Sequence, residues 1–202
     1  MKFYKTFNVI LVCVFIVGDS NEYYIVDCPF QYINNGYYHF DGGYYKLHTT
    51  PQCWANARSI CDAEGAHLAI INSQSEANFL VNLMNQYYSQ NYMRVNQYNN
   101  ELLIGFHDLY RDGEYVTVEG QDLETAGYNS WVPGQPNELF GQNCGSMSNR
   151  GRLNDFPCSM PSIFACEVTK FTTCDNVGRI RAMPRIMPCD PLMSLPLKGT
   201  NS

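Results

Sequence analysis

The chain has 202 residues, 45% of them hydrophobic and 14% aromatic, which is too apolar for a disordered segment and long enough to bury one ordinary core. Its 13 Lys and Arg against 19 Asp and Glu give a formal charge of −6, which argues against nucleic-acid binding through a basic face and against electrostatic docking on an anionic membrane. Nine cysteines in so short a chain point to an oxidising compartment.

Lys2 and Lys5 precede an apolar run from Val9 to Val17, and Gly18 and Ser20 stand where a small-residue cleavage site needs them. A basic start, a short apolar stretch and a small-residue exit make a secretory signal, so residues 1–20 read as a signal peptide and the product as secreted and extracellular. The run is shorter than the roughly 20 residues of a spanning helix, and no other stretch suggests a membrane span. Processing would remove Cys13 and leave Cys28, Cys53, Cys61, Cys144, Cys158, Cys166, Cys174 and Cys189, an even set suited to a disulfide framework. The sequence holds no Asn-x-Ser/Thr sequon.

Residues 23–48, aromatic and punctuated by glycine, read as short strands joined by turns at Asn35-Gly36 and Asp41-Gly42. Thr50-Pro51 predicts a helix start, with Thr50 as N-cap and Pro51 at the first helical position. Trp54, Ala57 and Cys61 recur at helical spacing as the buried stripe of that helix, and Gly65 ends it. His67 to Ile71 reads as a strand. Ser73-Gln74-Ser75-Glu76 is a capping box that opens a second helix carrying Phe79, Leu80, Leu83 and Met84 on one face. Residues 85–100, rich in Asn, Gln and Tyr, read as a polar surface insertion.

Beyond residue 101 helical periodicity stops. Leu102 to Phe106, Tyr115 to Val118 and Phe164 to Val168 read as strands. Between the last two lies a long polar loop reaching Ser146, rich in Gly, Asn, Pro and Gln, and loops of that length in a compact domain are usually functional. Residues 169–202, with Pro184, Pro188, Pro191 and Pro196, read as a mostly irregular, Pro-rich tail.

From about Cys28 to Val168 these segments together resemble the C-type lectin-like domain. The motifs are Trp54-x-x-Ala57-x-x-x-Cys61 followed by Gly65-Ala66-His67-Leu68-Ala69, then Leu103-Ile104-Gly105-Phe106. Next come Tyr128-Asn129-Ser130-Trp131 with Gln135-Pro136-Asn137, and finally Cys144, Leu153-Asn154-Asp155, Cys158 and Cys166. Within the family, Tyr45-Lys46-Leu47-His48 and the Glu114 to Val118 stretch are most similar to secreted insect lectins of the haemolymph, which include immulectins and lipopolysaccharide-binding proteins.

The resemblance implies an α+β C-type lectin-like fold over residues 21–168, with two helices flanking small antiparallel sheets, a long polar loop, and disulfide staples. It implies Cys61–Cys166 and Cys144–Cys158 pairs. Of the three pairings open to the other four cysteines, Cys28–Cys53 with Cys174–Cys189 is the expected one. It further implies a Ca2+ ion on the long loop, held by Gln135, Asn137, Gln142, Asn154 and Asp155, with Pro136 in the cis form. The same five residues would take two adjacent sugar hydroxyls. Gln135 and Gln142 stand where many members have acids, so the expected ion is weakly held. Gln-Pro-Asn mixes the mannose-type and galactose-type triplets and leaves the sugar open. Asp108, Asp112 and Glu138 fall at positions resembling an auxiliary calcium site. Trp131 reads as core, and Phe140 either stacks on a sugar or caps the loop.

His39, His48, His67 and His107 stand singly, without metal-ligand spacing, and no nucleophile elbow, phosphate loop or dinucleotide fingerprint occurs. The chain therefore reads as a binding protein and not an enzyme. The expected function is a soluble pattern-recognition lectin of innate immunity whose partners are microbial glycans, including the saccharide part of lipopolysaccharide. Weak single-site affinity would call for clustering, through an oligomer or a dense glycan surface. The alternative is a calcium-independent protein-binding module of the same fold.

Overall fold

The computed structural model describes residues 14–16, 23–25, 35–90, 101–137 and 141–169. The expected signal peptide lies outside them except for Val14–Ile16 (β1), which pairs antiparallel with Tyr23–Ile25 (β2). The Pro-rich tail also lies outside, as do Cys28, Cys174 and Cys189, so each of the two remaining expected disulfides reaches beyond the described residues.

The domain is built on one mixed sheet. In chain order its elements are Tyr38–Phe40 (β3), Gly43–Gln52 (β4), helix Trp54–Ala63 (α1), His67–Leu68 (β5), helix Gln74–Gln90 (α2), Glu101–His107 (β6), Val116–Thr117 (β7), Cys144–Ser148 (β8), Leu153–Phe156 (β9) and Ser162–Val168 (β10). The strand order is β3-β4-β10-β6-β8-β9, with β5 on β10 and β7 on β6. All pairings are antiparallel except β10 with β6, which run parallel at Ile163–Leu102 and Phe164–Leu103.

The central strands are buried on both faces, which is why they read as unbroken apolar runs. Leu102, Ile104 and Phe106 of β6, with Ile163 and Ala165 of β10, pack with Ala77, Leu80, Leu83 and Met84 of α2. The alternate residues Leu103, Phe164, Cys166 and Val168 pack with Trp54, Ala57 and Cys61 of α1. Gly105 sits where β6 passes Leu68, and a Cβ there would run into the Leu68 carbonyl oxygen. The Cys61–Cys166 disulfide ties α1 to β10, and Cys144–Cys158 ties β8 to the turn after β9. Both are the pairs that the family resemblance implies.

Some boundaries differ from the sequence reading, for non-local reasons. Thr50 and Pro51 do not start α1; they lie in β4, which runs on to Gln52 by pairing with Ser162 of β10. The register shifts between the Phe164–His48 and Ser162–Gln52 pairs, so the residues around Pro51 sit at an irregularity where a missing N–H is tolerated. The N-cap of α1 is Cys53, and Trp54 N finds its partner in Cys158 O at 3.1 Å. The strand from His67 ends at Leu68, although Ala69 N still donates to Ala165 O at 2.9 Å.

The Ser73 capping box forms, with Glu76 N donating to Ser73 Oγ at 3.2 Å and Glu76 Oε2 accepting from Asn72 N at 2.7 Å. Helix α2 then continues through the first part of the expected polar insertion, because Tyr87 and Tyr88 extend the Leu83 and Met84 stripe and pack against the core. Residues 91–100 lie outside the described part. The strand at Tyr115 shrinks to Val116–Thr117, and a 3-10 turn, Leu123–Ala126, capped by Asp122, interrupts the long loop.

Candidate functional site

The long loop leaves the sheet at Asp108 and returns at Asn143, and Asp108 N donates to Asn143 O at 3.2 Å to close its base. Its interior is pinned by Val132 N to Leu153 O and Leu153 N to Ser130 O, each 2.8 Å, around the Trp131–Leu153 bridge. Trp131 packs edge-on against Phe106 and tilted against Tyr115, at centroid distances of 5.5 and 5.1 Å, and so serves the core, as read from the sequence.

This anchoring delivers Gln135-Pro136-Asn137 to β9. Gln135 N donates to Val132 O at 2.9 Å, the Gln135–Pro136 peptide bond is cis, and Asn137 N donates to Asp155 Oδ2 at 3.1 Å. Asn154 and Asp155 lie opposite Ser146 and Gly145 of β8, and the Asp155 side chain is fully buried. Gln142 comes just before β8, whose first residue, Cys144, pairs with Phe156, so the same ladder carries Gln142 to this end of β9.

The electrostatics of the group are unusual for a protein interior. Gln135 Oε1, Gln142 Oε1 and Asn154 Oδ1 are buried and have no hydrogen-bond donor among the described residues. Leaving a buried acceptor unmet costs about 1–3 kcal/mol. An all-oxygen set beside a carboxylate is the donor chemistry of a hard cation such as Ca2+, so the residues present fit that ion. The five residues bring one formal negative charge, on Asp155.

A second, half-buried carboxylate stands beside this group, one that the sequence reading missed. Glu101 Oε2 accepts from Ser146 Oγ at 2.7 Å, and the Asn154 side chain lies near enough to lower the pKa of its carboxyl as a donor would. Burial raises the Glu101 carboxyl above the ordinary carboxylate range, and these two neighbours offset only part of the rise. No local signal marked it, since an acid before Leu102-Leu103-Ile104 looks like a solvated strand end.

At the loop base Asp108 and Asp112 lie around Asn143, which the sequence reading left out. Asp108 Oδ2 accepts from Gly113 N at 2.9 Å, and Asn143 Nδ2 donates to Asp112 Oδ1 at 3.3 Å. Burial, foremost, holds the Asp108 carboxyl up, and its Oδ1 has no donor among the described residues. Glu138 and Phe140 lie outside the described residues. His107 nearby is desolvated, and with the Arg58 charge this lowers its pKa to about 4, leaving it neutral at physiological pH.

One other group of ligand-type side chains gathers elsewhere among the described residues: His48, Glu64 and Cys166, within 4.8 Å of one another. Cys166 is in a disulfide, and Glu64 already takes Lys46 Nζ at 2.8 Å and Tyr37 Oη at 2.7 Å. That group reads as an ion-pair cluster.

Comparison with known proteins follows the same lines. The family model for the lectin C-type domain matches residues 50–168. A hemolymph lipopolysaccharide-binding protein of Periplaneta americana is 44% identical over 128 residues, covering 62% of this chain and 49% of that protein. Asialoglycoprotein receptor 1 of Mus musculus is 29% identical over 146 residues, covering 69% of this chain and 44% of the receptor. The chain thus spans about half the length of the curated relatives it matches. Among solved structures, the carbohydrate-recognition domain of cow CD23, determined in the presence of a GlcNAc2Man3 oligosaccharide, is 27% identical with a TM-score of 0.54, over 73% of this chain and 98% of that one. A calcium-independent type II antifreeze protein shares the fold at 21% identity and a TM-score of 0.54, over 70% of this chain and 93% of that one.

Proposed function

The chain belongs to the C-type lectin family, and from that premise we propose that it is a secreted lectin that binds microbial surface polysaccharide, including the saccharide part of lipopolysaccharide, with weak help from calcium. The observation that carries the calcium part is the set of buried amide oxygens on Gln135, Gln142 and Asn154 without donors among the described residues, next to the Asp155 carboxylate. Gln135, Asn137, Gln142, Asn154 and Asp155 would hold the ion. When bound there, it would supply coordination to two adjacent sugar hydroxyls.

The chain's own groups do the orienting. Asp155 Oδ2 fixes the Asn137 backbone, which sets the triplet against β9. The amide N–H groups of Gln135 and Asn137 are donors for sugar oxygens, and the Asp155 carboxylate accepts from sugar hydroxyls. With one carboxylate in the set, the expected calcium dissociation constant is that of extracellular modules, about 10⁻⁴–10⁻³ M. Among the described residues no helix is long and apolar enough to cross a membrane. A polysaccharide target is favoured by the 44% identity to a lipopolysaccharide-binding relative, and the formal charge of −6 disfavours the anionic lipid moiety. A role in innate immunity is part of this proposal, supported by the similarity to a hemolymph lipopolysaccharide-binding protein, and repetitive polysaccharide would supply the clustering that weak sites need.

The test is calcium titration calorimetry at millimolar ion, together with a glycan array read with and without EDTA. Glycan binding that EDTA abolishes is the expected result. Glycan binding untouched by EDTA removes the calcium part, and no glycan bound with no calcium heat leaves the calcium-independent protein-binding module.

A further inference from the structure

The amide of Asn154 has two edges of opposite character, and only one serves a cation. If its NH2 faced the candidate site, the group would repel the ion that Oδ1 would attract. Rotating an amide by half a turn costs little by itself, so something must decide the edge. Glu101 stands beside Asn154, near enough for the Asn154 side chain to lower the pKa of its carboxyl as a donor would. The carboxylate is held in turn by Ser146 Oγ at 2.7 Å, and the Glu101 backbone is pinned where its carbonyl accepts from Ser162 Oγ at 2.6 Å. Ser146 faces Asn154 across the β8–β9 ladder, so the three side chains share one place in the sheet. A carboxylate accepts and does not donate, so the Asn154 edge turned toward it is the NH2. Oδ1 is then left pointing away, and it is indeed buried without a donor among the described residues.

We propose that Glu101 is a positioning residue for the candidate cation site: its carboxylate, steadied by Ser146, holds the Asn154 amide so that Oδ1 faces the ion. The inference rests on the calcium reading above and names a residue outside its ligand set.

Calcium titration calorimetry on the unsubstituted protein and on Glu101→Gln and Glu101→Met separates the outcomes. Glu101→Gln keeps an acceptor for the Asn154 NH2 and should stay within about threefold of the parent, whereas Glu101→Met keeps the length, removes the acceptor, and should weaken calcium by about 10–100-fold. Thermal unfolding in EDTA, run on all three, reads the ion-free fold separately, and a merely structural role would move that value and not the Gln–Met difference. If the parent binds calcium and Glu101→Met binds it equally well, or if Gln and Met lose affinity alike, the inference is overturned. If the parent itself binds no calcium, the underlying reading has failed instead. Should Glu101→Met not fold, NMR of the parent in EDTA decides: hydrogen-bonded, individually resolved Asn154 side-chain NH2 protons support the inference, and freely averaged ones overturn it.

Discussion

Two places in this domain bury oxygen-bearing side chains, and they settle the same problem in opposite ways. Beneath α2, Glu167 Oε1 accepts from Tyr45 Oη at 3.0 Å, Glu167 Oε2 from Ile70 N at 2.8 Å, and Glu76 Oε2 from Asn72 N at 2.7 Å. Burial, followed for Glu76 by its charge repulsion with Glu167, lifts both carboxyls to about 7. The framework therefore satisfies its acids with protein donors and, where that falls short, with a proton. At the end of β9 the buried acceptors on Gln135, Gln142 and Asn154 are amides, which do not take up a proton near neutral pH. Among the described residues no donor meets them, and a water, a cation or a ligand's hydroxyl group would. The difference teaches that the acid-poor character of the loop is compatible with a binding site: the framework can settle with a proton what its donors leave unmet, such as Glu76 Oε1, and the loop amides cannot.

The most severe way to break the comparison is to cut its staples one at a time. Cys61–Cys166 closes a sequence separation of 105 in the framework, and Cys144–Cys158 closes 14 at the loop. On the chain-entropy account, replacing the first pair by alanine should cost about 4.7 kcal/mol and replacing the second about 3 kcal/mol, read by urea unfolding. The second change should also weaken calcium more than its stability cost explains, because it frees the strand that carries Gln142 toward Asp155. Equal calcium affinity in a folded Cys144→Ala/Cys158→Ala protein would show that the loop does not need its staple.

Next in size is Asp155→Asn, which keeps the acceptor for Asn137 N and removes the one formal charge of the set. Calcium affinity should fall by about 100-fold or more, out of the millimolar range, with EDTA-sensitive glycan binding lost alongside. The reverse experiment sharpens the point. Gln135→Glu with Gln142→Glu should strengthen calcium by at least about tenfold, and should lower the melting temperature in EDTA, where the added carboxylates have no cation. An unchanged affinity would mean that these two side chains do not face the ion.

How much of this was open to the sequence divides along contact distance. The capping box at Ser73 and Glu76, the two-faced apolar strands and the Gln-Pro-Asn triplet were legible because each is local or follows a short period. The extension of β4 through Pro51 was not, since it depends on pairing with Ser162, more than a hundred residues away. Glu101 was hidden for the same reason: its Ser146 and Ser162 contacts span 45 and 61 positions. At the site, residue types suggested an ion, yet whether Gln135 Oε1 or Asn154 Oδ1 would be met by a protein donor depends on what the packed chain brings near it. That property belongs to the fold, and no spacing rule contains it.

The smallest effect tests the framework half of the comparison. Glu76 and Glu167 titrate in the folded protein at about 7, against an ordinary value of 4.5. The folded state thus holds more protons than the unfolded chain between about pH 4.5 and about pH 7, so stability falls as pH rises through that window and levels off above it. The groups facing the pair act in the same sense: the Asp41 charge raises Glu76, and the Glu119 charge raises Glu167. Glu64, held near 2 against its own burial by hydrogen bonds from His48, Lys46 and Tyr37, works the other way but below the window, losing its contribution only as pH drops from 4.5 toward 2. Glu167→Gln keeps an acceptor for Ile70 N, cannot ionise, and relieves Glu76 of its neighbour's charge. Urea unfolding at pH 5 and pH 8 should show the parent losing on the order of 1 kcal/mol more than the variant between those two values. Identical slopes for parent and variant would mean that the buried pair is fully served by its hydrogen bonds, and the contrast with the loop would then rest on the loop alone.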